Sequence, residues 1–174
     1  MSKDAAASTR AYVAAGSNVE PLRNLRIALD ELARSHPTLR VSPAYRNPAA
    51  GFEGDDFVNL VIELDAPGTV HELLRELHAI EARCGRPRPA PKWAPRSMDL
   101  DVLLFGECVV DEPGLELPRP DLVRRAYMLK PMTDLAPHLR HPTLGATMAE
   151  LWRGFDAAAH PLMRVDLGWH RQPG

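Results

Sequence analysis

Five cations crowd one stretch of this sequence, and two carboxylates stand directly behind them. Between Ala82 and Met98 lie Arg83, Arg86, Arg88, Lys92 and Arg96, without one acidic residue. Pro87, Pro89, Pro91 and Pro95 bar the same window from a helix or a central strand, since each lacks an amide donor. Asp99-Leu100-Asp101 comes next. Alternate side chains of a strand share a face, so Asp99 and Asp101 project together, about 7 Å apart, while Leu100, Val102 and Leu104 are expected to face the core. Paired carboxylates at that distance repel unless a cation lies between them. Mg2+ is the cation that combines carboxylates with substrate phosphates and water, and arginine forks supply the matching phosphate contacts. A nucleotide–metal complex needs both. The same residues admit a plainer reading, a solvated basic loop and an edge strand bearing two hydrated aspartates. Trp93, between Lys92 and Arg96, is either an anchor for the loop or a stacking plate for a flat heterocycle.

The elements that must position these residues follow from period and punctuation. Arg10–Ala15 is a short apolar run that ends in Gly16-Ser17-Asn18, a strand entering a turn. Leu22, Leu25, Leu29 and Leu32 recur at helical spacing behind Pro21, which predicts a helix over 21–35. A second strand is expected over 39–45, a Gly-rich loop over 46–56 and a third strand over 57–64. Thr69 and Glu72 form a capping box ahead of Leu73, Leu74, Leu77 and Ile80, which predicts a helix over 70–84 closed by Gly85. A strand over 98–105 turns at Gly106 toward Cys108–Val110. Short helices are expected near 121–124, 131–135 and 147–152. Strand, helix, strand, strand, helix, strand is the α+β, ferredoxin-like βαββαβ plan, a mainly antiparallel sheet with helices packed on it, here with a C-terminal extension of short helices. We expect a flexible N-terminus over 1–9, one domain over 10–155, and an irregular, partly disordered tail over 156–174.

Composition narrows the function. The chain has 174 residues, 25% of them charged, and a net charge of −2, the balance of a globular protein rather than of a general nucleic-acid coat or a polybasic membrane anchor. Of its 21 basic residues 18 are Arg, a skew that base composition of the gene explains better than phosphate binding does. Cys84 and Cys108 have neither metal-ligand nor disulfide-framework spacing and read as small buried hydrophobes in a reducing compartment. No apolar run has signal-peptide or transmembrane length, so a cytoplasmic protein without membrane or nucleic-acid partners is expected, as a monomer.

Lys92-Trp93-Ala94-Pro95-Arg96-Ser97-Met98-Asp99-Leu100-Asp101-Val102-Leu103 resembles the signature of the 6-hydroxymethyl-7,8-dihydropterin pyrophosphokinase family. The likeness runs over about residues 11–152 and takes in Ala15-Gly16-Ser17-Asn18, Tyr45-Arg46-Asn47-Pro48, Phe57-Val58-Asn59, Ile80-Glu81, Gly85-Arg86-Pro87-Arg88 and Arg124-Arg125-Ala126-Tyr127-Met128-Leu129, in order. It implies transfer of pyrophosphate from ATP to the hydroxymethyl oxygen of a reduced pterin, releasing AMP, in folate biosynthesis. On that resemblance Asp99 and Asp101 hold two Mg2+ ions, and Arg86 and Arg96 act on the phosphates. Glu81, Arg88, Trp93, Val102, Arg119 and Arg125 would lie along ATP, and Asn47, Pro48, Phe57, Asn59, Trp93 and Tyr127 would line the pterin slot.

The chain departs from the family pattern at several places. Arg119 stands where His is usual, Asn47 where Thr is usual, Ala94 for Gly and Ser97 for Thr, and the loop over 47–57 is about one residue short. These departures leave open a paralogue acting on a related pterin, or a nucleotide- or pterin-binding module without catalysis. RNA binding through 82–98 is a third reading, against which stands the single aromatic, Trp93, in the basic run.

Overall fold

A computed structural model describes residues 8–47, 56–84 and 98–171. Strand β1 (Thr9–Ser17) alternates Ala11, Val13 and Ala15 on one face with Tyr12 and Ala14 on the other, all buried, so it belongs at the centre of a sheet covered on both sides. Helix α1 (Pro21–Ser35) follows, then two short strands, β2 (Arg40–Val41) and β3 (Ala44–Asn47), and the long β4 (Phe57–Ala66). The expected single strand over 39–45 is broken at Ser42-Pro43. Pro43 has no N–H to give, and the Ser42 hydroxyl accepts from the Val61 amide at 2.8 Å in place of a backbone carbonyl. Helix α2 (Val70–Arg83) carries the predicted capping box, with Thr69 N–H donating to Glu72 at 2.7 Å and Glu72 N–H to Thr69 at 3.2 Å.

Strand β5 (Asp99–Phe105) lies on the far side of β1, giving the sheet order β5–β1–β4–β3, every pair antiparallel. This is the expected ferredoxin-like arrangement. Leu25, Leu29 and Leu32 of α1 and Leu73, Leu77 and Ile80 of α2 cover one face, against Val13, Leu60, Ile62, Leu100 and Val102.

The hairpin of β6 (Val110–Glu112) and β7 (Leu115–Leu117) leads through a 3-10 turn (Pro120–Val123) to helix α3 (Ala126–Leu135) and helix α4 (Met148–Arg153). The C-terminal extension therefore forms a second helical layer: Leu122, Met128, Leu129, Met132 and Met148 bury Tyr12, Ala14, Val61, Leu103 and Leu104 on the opposite face of the sheet. Helix α3 begins five residues earlier than the sequence suggests. Pro131 sits inside it, and burial of Ala126, Met128, Leu129, Met132 and Leu135 outweighs the lost amide bond.

Three further expectations are corrected. Leu104 does not face the α1–α2 core with Leu100 and Val102. The β1–β5 register passes from Tyr12 opposite Leu104 to Val13 opposite Val102, so Leu103 is an extra residue, and Leu103 and Leu104 both reach the α3 layer. Cys108 is exposed, just beyond the turn at Gly106, whereas Cys84 is buried as expected. Over the tail, Met163–Val165 forms strand β8 at the sheet edge beside β3. The chain beyond it is fastened to α1 by Trp169 Nε1 donating to Asp30 at 2.9 Å and by Arg26 donating to the Leu167 carbonyl at 3.0 Å.

Candidate active site

The site is assembled on the α3 face, at the end of the sheet where β5 begins. Asp99 and Asp101 are half-buried there, as the alternation predicts. They face small neighbours, because β1 places Gly16 opposite Asp99 and Ala14 opposite Asp101. Leu100 points the other way, and its amide donates to the Glu81 carboxylate at 2.8 Å. Glu81 is 3% exposed at the end of α2. It thus ties the end of α2 to the start of β5, holding in place the two chain ends that flank the basic window. Val102, counted with the ATP residues, is buried among the α1–α2 helices on the face opposite the aspartates.

A line of alternating charge runs out from Asp101. The Arg119 amide donates to the carbonyl of Leu103, the extra residue of β5, at 3.0 Å. Its guanidinium lies between two carboxylates, Nη1 3.8 Å from Asp101 and Nη2 3.6 Å from Asp121. Neither distance is a hydrogen bond, and the Arg119 Nε is buried with no hydrogen-bond partner. Arg125 Nε stands 3.9 Å from the other oxygen of Asp121. Tyr127 is half-buried within the same charges. Burial raises its phenol above the ordinary range, Arg125 and Arg119 pull it down, and Asp121 and Asp101 push it up.

Across the sheet, β4 pairs Asn59 with Gly16, and β3 pairs Tyr45 with Asn59 and Asn47 with Phe57. Asp99, Gly16 and Asn59 therefore stand in one cross-strand row, Asp99 and Asn59 about 10 Å apart at the usual strand spacing. Asn59 is 8% exposed, and its side-chain amide donates to the Asn47 side-chain carbonyl. This amide pair lies over Gly16. A Cβ at position 16 would come within 2.4 Å of Asn59 Oδ1, so only glycine leaves the space. Behind it the Tyr45 hydroxyl donates to Asp134, which Lys130 pairs at 2.9 Å; burial first, then Asp134, pushes Tyr45 up to about 12.

The fold thus gathers Asp99, Asp101, Arg119, Arg125 and Tyr127 at one end of the row and Asn47, Phe57 and Asn59 at the other. Pro48, Arg86, Arg88, Trp93 and Arg96 lie outside the described residues. Sequence reasoning missed the parts played by Gly16 and Asp121. Gly16 was visible within Ala15-Gly16-Ser17-Asn18, but its purpose appears only when β1 is set between β4 and β5.

Among the described residues no three His, Cys, Asp or Glu side chains converge as a metal cage. Two half-buried carboxylates on one strand face, with small side chains beside them, suit an ion that draws its other ligands from water and phosphate. That is the habit of Mg2+, and the donor set fits it.

A family model described as 7,8-dihydro-6-hydroxymethylpterin-pyrophosphokinase (HPPK) matches residues 12–137. A 2-amino-4-hydroxy-6-hydroxymethyldihydropteridine pyrophosphokinase of Pseudomonas aeruginosa is 44% identical over 137 residues, covering 76% of this chain and 84% of that protein. The protein of the same description from Haemophilus influenzae is 30% identical over 160 residues, covering 90% and 98%. Among solved structures, wild-type Plasmodium falciparum HPPK-DHPS superposes with a TM-score of 0.66 at 13% identity, over 87% of this chain. At that identity the likeness is one of fold, and this chain spans 45% of the Plasmodium chain.

Proposed function

The chain belongs to the 7,8-dihydro-6-hydroxymethylpterin-pyrophosphokinase family, and we infer from this that it transfers pyrophosphate from ATP to the hydroxymethyl group of 6-hydroxymethyl-7,8-dihydropterin, releasing AMP, in folate biosynthesis. It is an ATP-dependent diphosphotransferase. Because AMP leaves while the two outer phosphates travel together, the hydroxymethyl oxygen attacks the middle phosphorus of ATP. The bond from that phosphorus to the oxygen retained by AMP breaks, and the hydroxyl proton is lost. Such a reaction needs positioning and charge neutralisation more than covalent help.

The observation that carries the assignment of roles is the row Asp99–Gly16–Asn59, which sets carboxylates at one end and an amide pair at the other. In this reading Asp99 and Asp101 hold Mg2+, two ions, which neutralises the triphosphate and fixes its geometry when bound. Arg119 and Arg125 face the phosphates from the α3 side. Arg86 and Arg96 act on the transferring group, and Arg88 and Trp93 lie along the nucleotide. Glu81 serves ATP indirectly, by fixing the backbone of β5 through Leu100. The pterin ring lies between Phe57 and Tyr127 with its polar rim on Asn59 and Asn47, and Pro48 and Trp93 complete the slot. The enzyme works as a cytoplasmic monomer on small molecules alone. Cys84 and Cys108 are free thiols, and among the described residues no helix is long and apolar enough to cross a membrane.

AMP release, assayed with ATP, Mg2+ and a panel of pterin alcohols, tests this. Asp99→Ala and Asp101→Ala should each lower turnover by roughly 10³-fold or more while leaving the fold intact. Near-normal release from either variant would sink the assignment, and a preference for another pterin alcohol would move the substrate.

A further inference from the structure

We propose that Arg119 is an internal stand-in for the metal: its guanidinium neutralises Asp101 in the unliganded protein and passes to the nucleotide phosphates when the metal takes Asp101. This rests on the reading of Asp101 as a metal ligand. The backbone of Arg119 is pinned, through its amide on the Leu103 carbonyl at 3.0 Å. Its head group is not. Charge-assisted contacts between a guanidinium and a carboxylate usually close to 2.7–2.9 Å, whereas here both nearest carboxylates stand off, Asp101 at 3.8 Å and Asp121 at 3.6 Å. With Nε also buried and unpartnered, the fork is drawn into the site by charge without being fastened there.

A divalent ion on Asp101 would repel the guanidinium, and Asp121, shared with Arg125 at 3.9 Å, gives it a pivot from which to swing. Phosphate oxygens arriving with the metal offer the close acceptors that the fork now lacks.

The test measures free Mn2+ by electron paramagnetic resonance as the metal is added to the full chain without nucleotide. Arg119→Ala and Arg119→His should bind Mn2+ about 5- to 10-fold more tightly than wild type, because a competing cation is gone. Asp121→Asn should bind it more weakly, since the guanidinium then settles on Asp101. With Mn2+ and α,β-methylene ATP the sign reverses, and Arg119→Ala should lose roughly tenfold in nucleotide affinity. A merely structural residue would weaken both. Unchanged or weaker Mn2+ binding by Arg119→Ala and Arg119→His overturns the proposal, provided that Asp101→Asn abolishes the binding. If Asp101→Asn binds Mn2+ like wild type, the metal assignment beneath the proposal fails with it.

Discussion

Substituting Gly16 should separate stability from substrate binding. The added Cβ of Gly16→Ala would lie 2.4 Å from Asn59 Oδ1 and 3.5 Å from Asn59 Cγ, while its next neighbour, the Val58 carbonyl, is at an ordinary 3.9 Å. The clash is therefore with one side-chain tip, which must retreat by about 1 Å to reach normal contact. Rotating it breaks the bond from Asn59 to Asn47, a loss of about 0.5–1.5 kcal/mol. Alanine in place of a strand glycine returns about 0.5–1 kcal/mol of backbone entropy. The two terms nearly cancel, so the melting temperature should move by no more than about 4 °C. Pterin binding has no such compensation. With the amide pair displaced, one or two substrate hydrogen bonds go unmade, about 1–3 kcal/mol, or roughly 5- to 150-fold in affinity. The assay is calorimetric titration of pterin in the presence of a non-hydrolysable ATP analogue, beside thermal melts. Asn59→Ala should weaken pterin to a similar degree, and the double variant no further, since both substitutions remove the same contact. Unchanged pterin affinity in a stably folded Gly16→Ala protein would refute the reasoning. So would a large fall in melting temperature with nucleotide and pterin weakened alike.

Two other perturbations test separate parts of the molecule. Arg96→Ala should slow AMP release in a single turnover by roughly 10³-fold, the usual effect of losing an arginine on a transferring phosphoryl group, and an unchanged rate would remove Arg96 from the mechanism. Far from the site, buried His36 Nε2 lies 2.9 Å from Glu76, and this bond raises the His36 pKa and lowers that of Glu76 despite burial. The histidine's contribution is complete below its ordinary 6.5 and fades as pH climbs through the raised value. That of Glu76 is complete above its ordinary 4.5 and fades as pH falls through the lowered one. Urea melts of wild type and Glu76→Gln should therefore differ most between about pH 4.5 and 6.5 and converge at alkaline pH; a constant difference would discount the pair.

Much of this molecule was legible in its sequence, and the misses share a cause. Helices α1 and α2 and strands β1, β4 and β5 announce themselves by period and caps, and Asp99 and Asp101 by their alternation with Leu100. Leu104, Pro131 and β8 do not follow local rules, because tertiary packing overrode them: a bulge at Leu103, a helix whose buried face tolerates a proline, and an edge strand of three residues too short to show a period. The site itself lies between these cases. Asp99, Gly16 and Asn59 become neighbours only through register, which no single segment encodes. Yet that register is not arbitrary. A slip of one residue in β5 would turn Leu100 and Val102 out of the α1–α2 core and drive both aspartates into it, exchanging buried apolar area for two desolvated charges. The leucine and valine thus decide where the carboxylates stand, and a sequence that buries its core correctly has also aimed both aspartates at the candidate site.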